Sequence, residues 1–144
     1  EIDKILYENN LIENKLYLSC FNHCPIEKEI SETEIMFNML EYLDLKAFNE
    51  ICLSDTTGEL TNENFKKLLL LISRIVNVNK LSLHLHVNKE NEDNVLEILE
   101  NAIKYDIKKF DISCIEDGGC SVTMDKSKLN SNLTYDVLEK LLIR

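Results

Sequence analysis

The sequence predicts a single α/β domain, residues 1–144, in which strand-helix units repeat to build a parallel sheet or barrel. Strand-like and helix-like segments alternate along the chain four times, which is typical of β-α units. The 144 residues, 44% of them apolar, suffice for one domain with its own core. The sequence has three glycines, one proline and no low-complexity tract, so nothing in it indicates an interdomain linker.

The first β-α unit is preceded by a short helix predicted over residues 2–8. A strand follows at residues 16–20. The next helix begins at a capping box formed by Ser31 and Glu34. Its apolar residues recur at helical spacing: Ile35, Met36, Met39, Leu40 and Leu43.

The remaining three units follow at short intervals. The second strand is predicted at residues 50–54, and its helix at residues 61–76 has a broad apolar face. The third unit is a strand over residues 80–87 and a helix over residues 92–104. The fourth strand is expected at residues 109–114.

A long segment separates the fourth strand from the final helix, which is predicted over residues 133–142. Residues 115–132 contain Gly118 and Gly119 and have no clear periodicity. Loops of this length inside a compact domain are usually functional or disordered.

The third strand carries a candidate metal site. Its leucines alternate with His84 and His86, so the two histidines share the face opposite the leucines. Two imidazoles about 7 Å apart along one strand face can both reach one ion. The alternative interpretation is an ordinary polar face of an edge strand, because an isolated His-x-His pair is a weak motif.

Charge and composition exclude several classes of partner and location. The net charge of -10 and the lack of a Lys/Arg cluster argue against binding nucleic acid or an anionic membrane. Apolar runs such as residues 68–72 are too short to cross a bilayer, and the first residues do not resemble a signal peptide. Five cysteines without a CxxC pair indicate reduced thiols. We therefore expect a soluble intracellular protein, cytoplasmic or mitochondrial.

Chemically active residues converge at the carboxyl ends of the predicted strands, where parallel sheets and barrels bind ligands. Residues 20–25 follow the first strand, and Asp55 follows the second. His84 and His86 end the third strand, and a Gly-Gly-Cys loop at residues 118–120 follows the fourth. This convergence favours a functional site over chance placement.

Four motifs resemble those of 3-hydroxy-3-methylglutaryl-CoA (HMG-CoA) lyase, in the same order and at similar spacing. They are Ser19-Cys20-Phe21-Asn22-His23-Cys24-Pro25, Leu53-Ser54-Asp55-Thr56-Thr57-Gly58, Leu83-His84-Leu85-His86, and Gly118-Gly119-Cys120 followed by Ser131-Asn132-Leu133. The resemblance covers nearly the whole chain. It implies that the four β-α units are the second half of a (β/α)8 TIM barrel.

The resemblance also implies a metal site. His84 and His86 would bind a divalent cation, Mg or Mn, and Asn132 would supply an oxygen ligand. Asn130 is an alternative to Asn132, because the preceding segment differs from the family pattern. Imidazoles with hard oxygen donors also suit Fe or Co, so the spacing does not select the metal.

Two residues match catalytic positions of the family. Cys120 matches the loop cysteine that acts in proton transfer, and Asp55 matches the aspartate of a Gly-Asp-Thr turn. For Asp55, capping the loop after its strand is an equally good interpretation. We interpret Cys24 as structural and expect Cys52 and Cys114 to pack within strands.

By resemblance, the function is metal-dependent cleavage of HMG-CoA, an acyl-CoA substrate, to acetoacetate and acetyl-CoA. The family's Arg-Asp pair lies in its first half, which this sequence does not contain. A half-barrel has two unpaired strand edges, so we expect a homodimer or association with an amino-terminal half-barrel. The alternatives are an inactive remnant that acts as a structural or partner-binding module, and a related synthase, against which Cys120 argues.

Overall fold

The computed structural model describes Lys4 and residues 13–43, 48–114 and 130–143. Apart from Lys4, the helix predicted at residues 2–8 lies outside the described residues. The strands are β1 (Lys15–Ser19), β2 (His23–Cys24), β3 (Lys28–Glu29), β4 (Glu50–Ser54), β5 (Leu81–His84), β6 (His86–Val87), β7 (Lys109–Asp111) and β8 (Ser131–Asn132). The helices are α1 (Glu32–Leu43), α2 (Asn62–Ile72), α3 (Glu92–Lys104) and α4 (Tyr135–Leu142), with a 3₁₀ turn at Val78–Lys80.

A four-stranded parallel sheet in the order β1-β4-β5-β7 organises the molecule. Helices α1, α2 and α3 connect successive strands of this sheet, and α4 follows the last. Because such crossovers are right-handed, connections that always step to the next strand place every helix on the same face of the sheet. This is the arrangement of a barrel wall and confirms the predicted repeat of four β-α units.

The two faces of the sheet differ sharply in polarity. The face toward the helices carries apolar side chains that are at most 3% exposed, namely Ile51, Leu53, Leu81 and Leu83. They pack with helix residues such as Phe65 and Ile98 in one core. The opposite face carries charged and polar residues at alternating positions. The core therefore lies between the sheet and its helices.

Side-chain caps explain where three helices begin. The backbone N–H of Glu34 donates to Ser31 Oγ at 3.2 Å, as the predicted capping box requires. Thr61 and Thr134 accept from backbone amides three residues later at the starts of α2 and α4. Helix α2 ends at Ile72, earlier than predicted. The Ser73 hydroxyl there donates to the Leu70 carbonyl, a local bond that competes with continuation of the helix.

The third predicted strand is broken at Leu85, which corrects the expectation of one continuous strand. His84 ends β5 in the parallel sheet, whereas His86 belongs to β6, which pairs antiparallel with β8. Strand β8 comes from the segment predicted to be a loop. The short β2–β3 hairpin was not predicted from the sequence. None of the described helices is long and apolar enough to span a membrane.

Candidate metal site

His84 and His86 meet at the carboxyl edge of the sheet. Their ring centroids are 4.9 Å apart and the ring planes are nearly perpendicular, at 86°. His86 is buried and His84 is partly buried. The structure therefore brings together the two residues on which the metal prediction depends, although the strand between them is interrupted.

A main-chain contact fixes the tautomer of His86. Its Nδ1 lies 2.8 Å from the carbonyl oxygen of Asp55. A carbonyl can only accept, so Nδ1 of His86 carries a proton, and in the neutral ring Nε2 is the nitrogen with the lone pair. This pattern, in which a second group holds the ring of a ligating histidine, is typical of metal sites.

His84 has an unsatisfied nitrogen. Its Nδ1 is buried and has no hydrogen-bond partner. Burial and the neighbouring His86 lower the pKa of His84. The neutral imidazole is the form that binds metals, and an orphaned ring nitrogen beside a second histidine suits a divalent cation.

The two asparagines that were candidates for the oxygen ligand have different surroundings in the structure. Asn132 lies directly opposite His86 in the β6–β8 pair, so both side chains are on the same face. Asn130 is engaged elsewhere: its Nδ2 donates to the Thr57 carbonyl at 2.8 Å, and its Oδ1 accepts from Asn88 at 2.7 Å. This placement favours Asn132.

The donor set within the described residues is small. No group of three His, Cys, Asp or Glu side chains that could hold a metal occurs in this part of the chain. Two imidazoles and one amide oxygen suit a hard divalent cation but leave most of its coordination sphere open. The remaining ligands would come from substrate, water or residues beyond those described.

Asp55 organises the loop beside the histidines. It is 2% exposed, and its two carboxylate oxygens accept from the backbone amides of Glu59 and Leu60 at 3.2 and 3.1 Å. Burial outweighs these bonds and raises the pKa of Asp55 to about 6. Its own backbone N–H donates to the His84 carbonyl at 2.9 Å. Asp55 thus contacts both histidines through its main chain, while its carboxylate turns toward the loop.

An asparagine network supports the same edge and was not anticipated from the sequence. Asn91 Nδ2 donates to the carbonyl oxygens of Gly58 and His86, at 3.2 and 3.1 Å. Asn88 and Asn91 also exchange backbone-to-side-chain bonds of 2.7 and 2.9 Å. The available signal was the spacing of Asn88, Asn91 and Asn94 at the start of a helix, where such residues cap turns.

The cysteines have different placements. Cys120 lies outside the described residues. Cys20 adopts a left-handed φ of 55°, and its N–H donates to Thr56 Oγ1, which joins the loops after β1 and β4. Cys24 is in β2, and Cys52 is buried as predicted. Cys114 is exposed, so the expectation that it packs within a strand was wrong, because the strand ends at Asp111.

Solved HMG-CoA lyase structures share the fold of this chain. The lyase from Brucella melitensis gives a TM-score of 0.80 at 20% identity, over 99% of this chain and 49% of its own. The Pseudomonas aeruginosa enzyme gives 0.78 at 21% identity, over 99% and 46%. The Acinetobacter baumannii enzyme, in complex with coenzyme A and 3-methylmalate, gives 0.78 at 23% identity, over 99% and 46%. No protein-family model and no curated protein matches the chain.

These likenesses confirm the predicted fold. The chain has the architecture of one half of a (β/α)8 barrel, and its resemblance to half of an HMG-CoA lyase holds at the level of structure. The chain spans about half the length of these solved lyases, consistent with their carboxyl-terminal half.

Proposed function

We propose that this chain is the carboxyl-terminal half of a metal-dependent carbon-carbon lyase that cleaves HMG-CoA to acetoacetate and acetyl-CoA. The observation that carries the proposal is the His84–His86 pair at the carboxyl edge of a half-barrel sheet, with Asn132 opposite His86. This is the edge at which barrels build their active sites. A lyase of the same fold holds coenzyme A, which supports an acyl-CoA substrate.

His84, His86 and Asn132 would hold the metal, Mg or Mn. When bound, such a cation lowers the pKa of the substrate hydroxyl and orients its oxygens. His86 is prepared for this role by the Asp55 carbonyl, and His84 by its unpartnered Nδ1. We assign Asp55 a positioning role, since its carboxylate is occupied by loop amides.

Cys120 is the proposed proton donor to the enolate that cleavage leaves behind. A thiol on a loop that closes over the site can protonate the enolate and keep water away. Cleavage breaks one carbon-carbon bond: the hydroxyl proton passes to a base, the alkoxide collapses to a ketone, and the departing enolate takes up one proton.

The proposed partner is a second half-barrel, either an amino-terminal half or a second copy of this chain. The outer strands of the sheet are β1 and β7, and neither has a neighbour on its outer side among the described strands. A segment that carries an arginine and a carboxylate at a strand end would complete the metal site and stabilise the enolate.

The first test is calorimetric titration of Mn²⁺ into the wild-type chain, the variants His84→Ala and His86→Ala, and the matched control His23→Ala. We expect the two site variants to lose binding and His23→Ala to retain it. Equal affinity in all four proteins contradicts the proposed metal site. The variant Cys120→Ala, introduced into the protein in its native source and isolated from there, should bind Mn²⁺ normally but fail to turn over HMG-CoA.

The intact mass of the native protein tests the proposed partner. A mass near twice 16.7 kDa identifies a covalently attached half-barrel. A native mass near 16.7 kDa, with no turnover of HMG-CoA by any complex isolated with the chain, contradicts the lyase proposal and favours a non-catalytic module.

A further inference from the structure

The face of the sheet that points away from the helices carries a network of ion pairs and hydrogen bonds, here called the polar face. Its alternating positions are Lys15, Tyr17, Ser19, Glu50, Cys52, Ser54, Ser82, His84, Lys109 and Asp111. Barrel interiors are normally filled by branched apolar side chains. A face with two cations, two carboxylates and a tyrosine therefore needs a specific explanation.

Asp111 is the centre of this network. Its Oδ1 accepts from Lys15 Nζ at 2.5 Å, and its Oδ2 accepts from the Tyr17 hydroxyl at 2.6 Å. The Cys52 thiol lies 3.8 Å from the same Oδ2. Asp111 also pairs in register with His84 on the adjacent strand, so the two side chains are neighbours on the polar face.

These contacts connect the two outer strands, because Lys15 and Tyr17 are on β1 and Asp111 is on β7. Three spacings of about 4.8 Å separate β1 from β7, or roughly 14 Å across a flat sheet. Side chains stand nearly perpendicular to a sheet, so those on a flat sheet would not converge. Direct contact across the two central strands shows that the sheet curves toward the polar face.

We propose that Asp111 is a positioning residue for His84: by clamping β1 to β7 through Lys15 and Tyr17, it holds the curvature of the sheet and the ring of His84 beside it. The clamp gives the half-barrel its own means of keeping a barrel-like curvature. It also explains the charges on this face, since both oxygens of Asp111 and both of Glu50 are occupied by side chains of other strands.

The test measures the imidazole rings of the metal-free chain by ¹H–¹⁵N NMR. The sequence has three histidines, so His23 serves as an internal reference for His84 and His86. The informative variant is Tyr17→Phe, which removes one neutral hydroxyl from a half-exposed side chain and thereby one of the bonds that Asp111 accepts. Asp111→Asn is the second variant.

The matched control is Lys109→Gln, which breaks an ion pair with Glu50 on the same face and removes neither of the bonds that Asp111 accepts from Lys15 and Tyr17. We expect Tyr17→Phe and Asp111→Asn to shift or broaden the His84 resonances while those of His23 stay fixed. Lys109→Gln should leave the His84 resonances in place. His84 resonances that stay unchanged in both test variants would overturn the proposal, even if both variants unfold at lower urea concentrations.

A second readout is Mn²⁺ affinity. This readout is informative only if the proposed metal site exists, whereas the imidazole spectra do not depend on that site. Loss of groups that orient a ligating histidine typically weakens metal binding by at least about tenfold. We expect that loss for Tyr17→Phe and Asp111→Asn. A wild-type chain that binds no Mn²⁺ refutes the metal site, and the spectra still decide the positioning role.

Discussion

Individual side chains on the two faces of the sheet perform different tasks. Leucines and isoleucines on one face build the core, while the polar face depends on compensated charges. Glu50 shows the compensation most clearly: its oxygens lie 2.7 Å from Lys15 and 2.8 Å from Lys109. Burial acts to raise the pKa of Glu50, but the bonds from Lys109 and Lys15 outweigh it and hold the pKa at about 2.

This pKa predicts a specific dependence of stability on pH. A carboxyl with a lowered folded-state pKa stabilises the fold above its unfolded value of 4.5, and this contribution is lost as the pH falls toward 2. The shift corresponds to at most about 3 kcal/mol. Partial exposure of the pair reduces the expected contribution to about 1–2 kcal/mol. Urea unfolding should therefore show Glu50→Gln less stable than wild type at pH 6, with the difference shrinking between pH 4.5 and 2.

Gly58, in the loop beside the histidines, has a backbone conformation that favours glycine. It has a φ of 71°, and a Cβ there would collide with the side-chain amide of Asn130. We predict that Gly58→Ala destabilises the chain by about 2 kcal/mol, of which about 1 kcal/mol is backbone strain.

The double variant Gly58→Ala with Asn130→Ala separates the two causes. Removing the amide relieves the collision but not the strain, so the glycine substitution should cost only about 1 kcal/mol in the Asn130→Ala background. An unchanged cost in that background, measured by urea unfolding, contradicts the assigned contact.

At the scale of elements, the short strand β8 connects the histidine edge to the rest of the sheet. Leu133, directly after β8, donates its N–H to the Leu85 carbonyl at 3.0 Å and accepts from the Ser113 N–H at 2.9 Å. Its side chain is 1% exposed in the core. Leu133 therefore connects the break between β5 and β6 to the segment that follows β7, and it keeps Asn132 opposite His86.

We predict that Leu133→Ala lowers the free energy of unfolding by about 2–5 kcal/mol, the usual range for a buried leucine. The matched control is Leu70→Ala on α2, which is 54% exposed and should cost less than about 1 kcal/mol. In hydrogen exchange, Leu133→Ala should also speed exchange at His86 and Val87. Protection there equal to wild type would show that β8 is held by other contacts.

At the scale of the whole molecule, the half-barrel has one row of helices with two ends. Among the helices that the structure describes, α1 is the outermost on the β1 side, and Phe37 and Leu40 on it are 68% and 52% exposed. A cavity of about 410 Å³ lies along β1 under this helix, lined in part by Leu16, Leu18, Ile35 and Met39. In a closed barrel, the next strand and helix would cover this region.

We predict that Phe37→Asp weakens association of the chain with its second half-barrel without lowering the stability of the chain itself. The control is Ile103→Asp on α3, which is 47% exposed and lies on an inner helix of the row. Sedimentation velocity over a range of concentrations checks both variants. Equal association in both variants and in wild type would place the interface elsewhere.

The sequence by itself determined the order of the main strands and helices and the parallel sheet. Hydrophobic periodicity reports burial directly, so β4 and α3 were predicted with their observed bounds, and β1 and α4 within about two residues. The early end of α2, the break in the third strand and the short strands β2, β3 and β8 were not predicted. The carboxyl ends of parallel strands share one edge, which is why His84 and His86 were expected at a site there. For the same reason, Asp55 was placed correctly beside the histidines. Asn132 came from the family resemblance alone, and metal binding by the three residues His84, His86 and Asn132 stays a prediction.

Only the tertiary structure decided how these residues are oriented. The strand breaks at Leu85, where His86 turns to pair with Asn132, and Asn130 bonds to the Thr57 carbonyl. Both of these contacts join segments more than 40 residues apart. The clamp from Tyr17 to Asp111 spans 94 residues and depends on the curvature of the sheet. Local periodicity shows which face a residue occupies, but contacts between distant strands arise only when the sheet has formed and curved, because their geometry is set by twist and curvature.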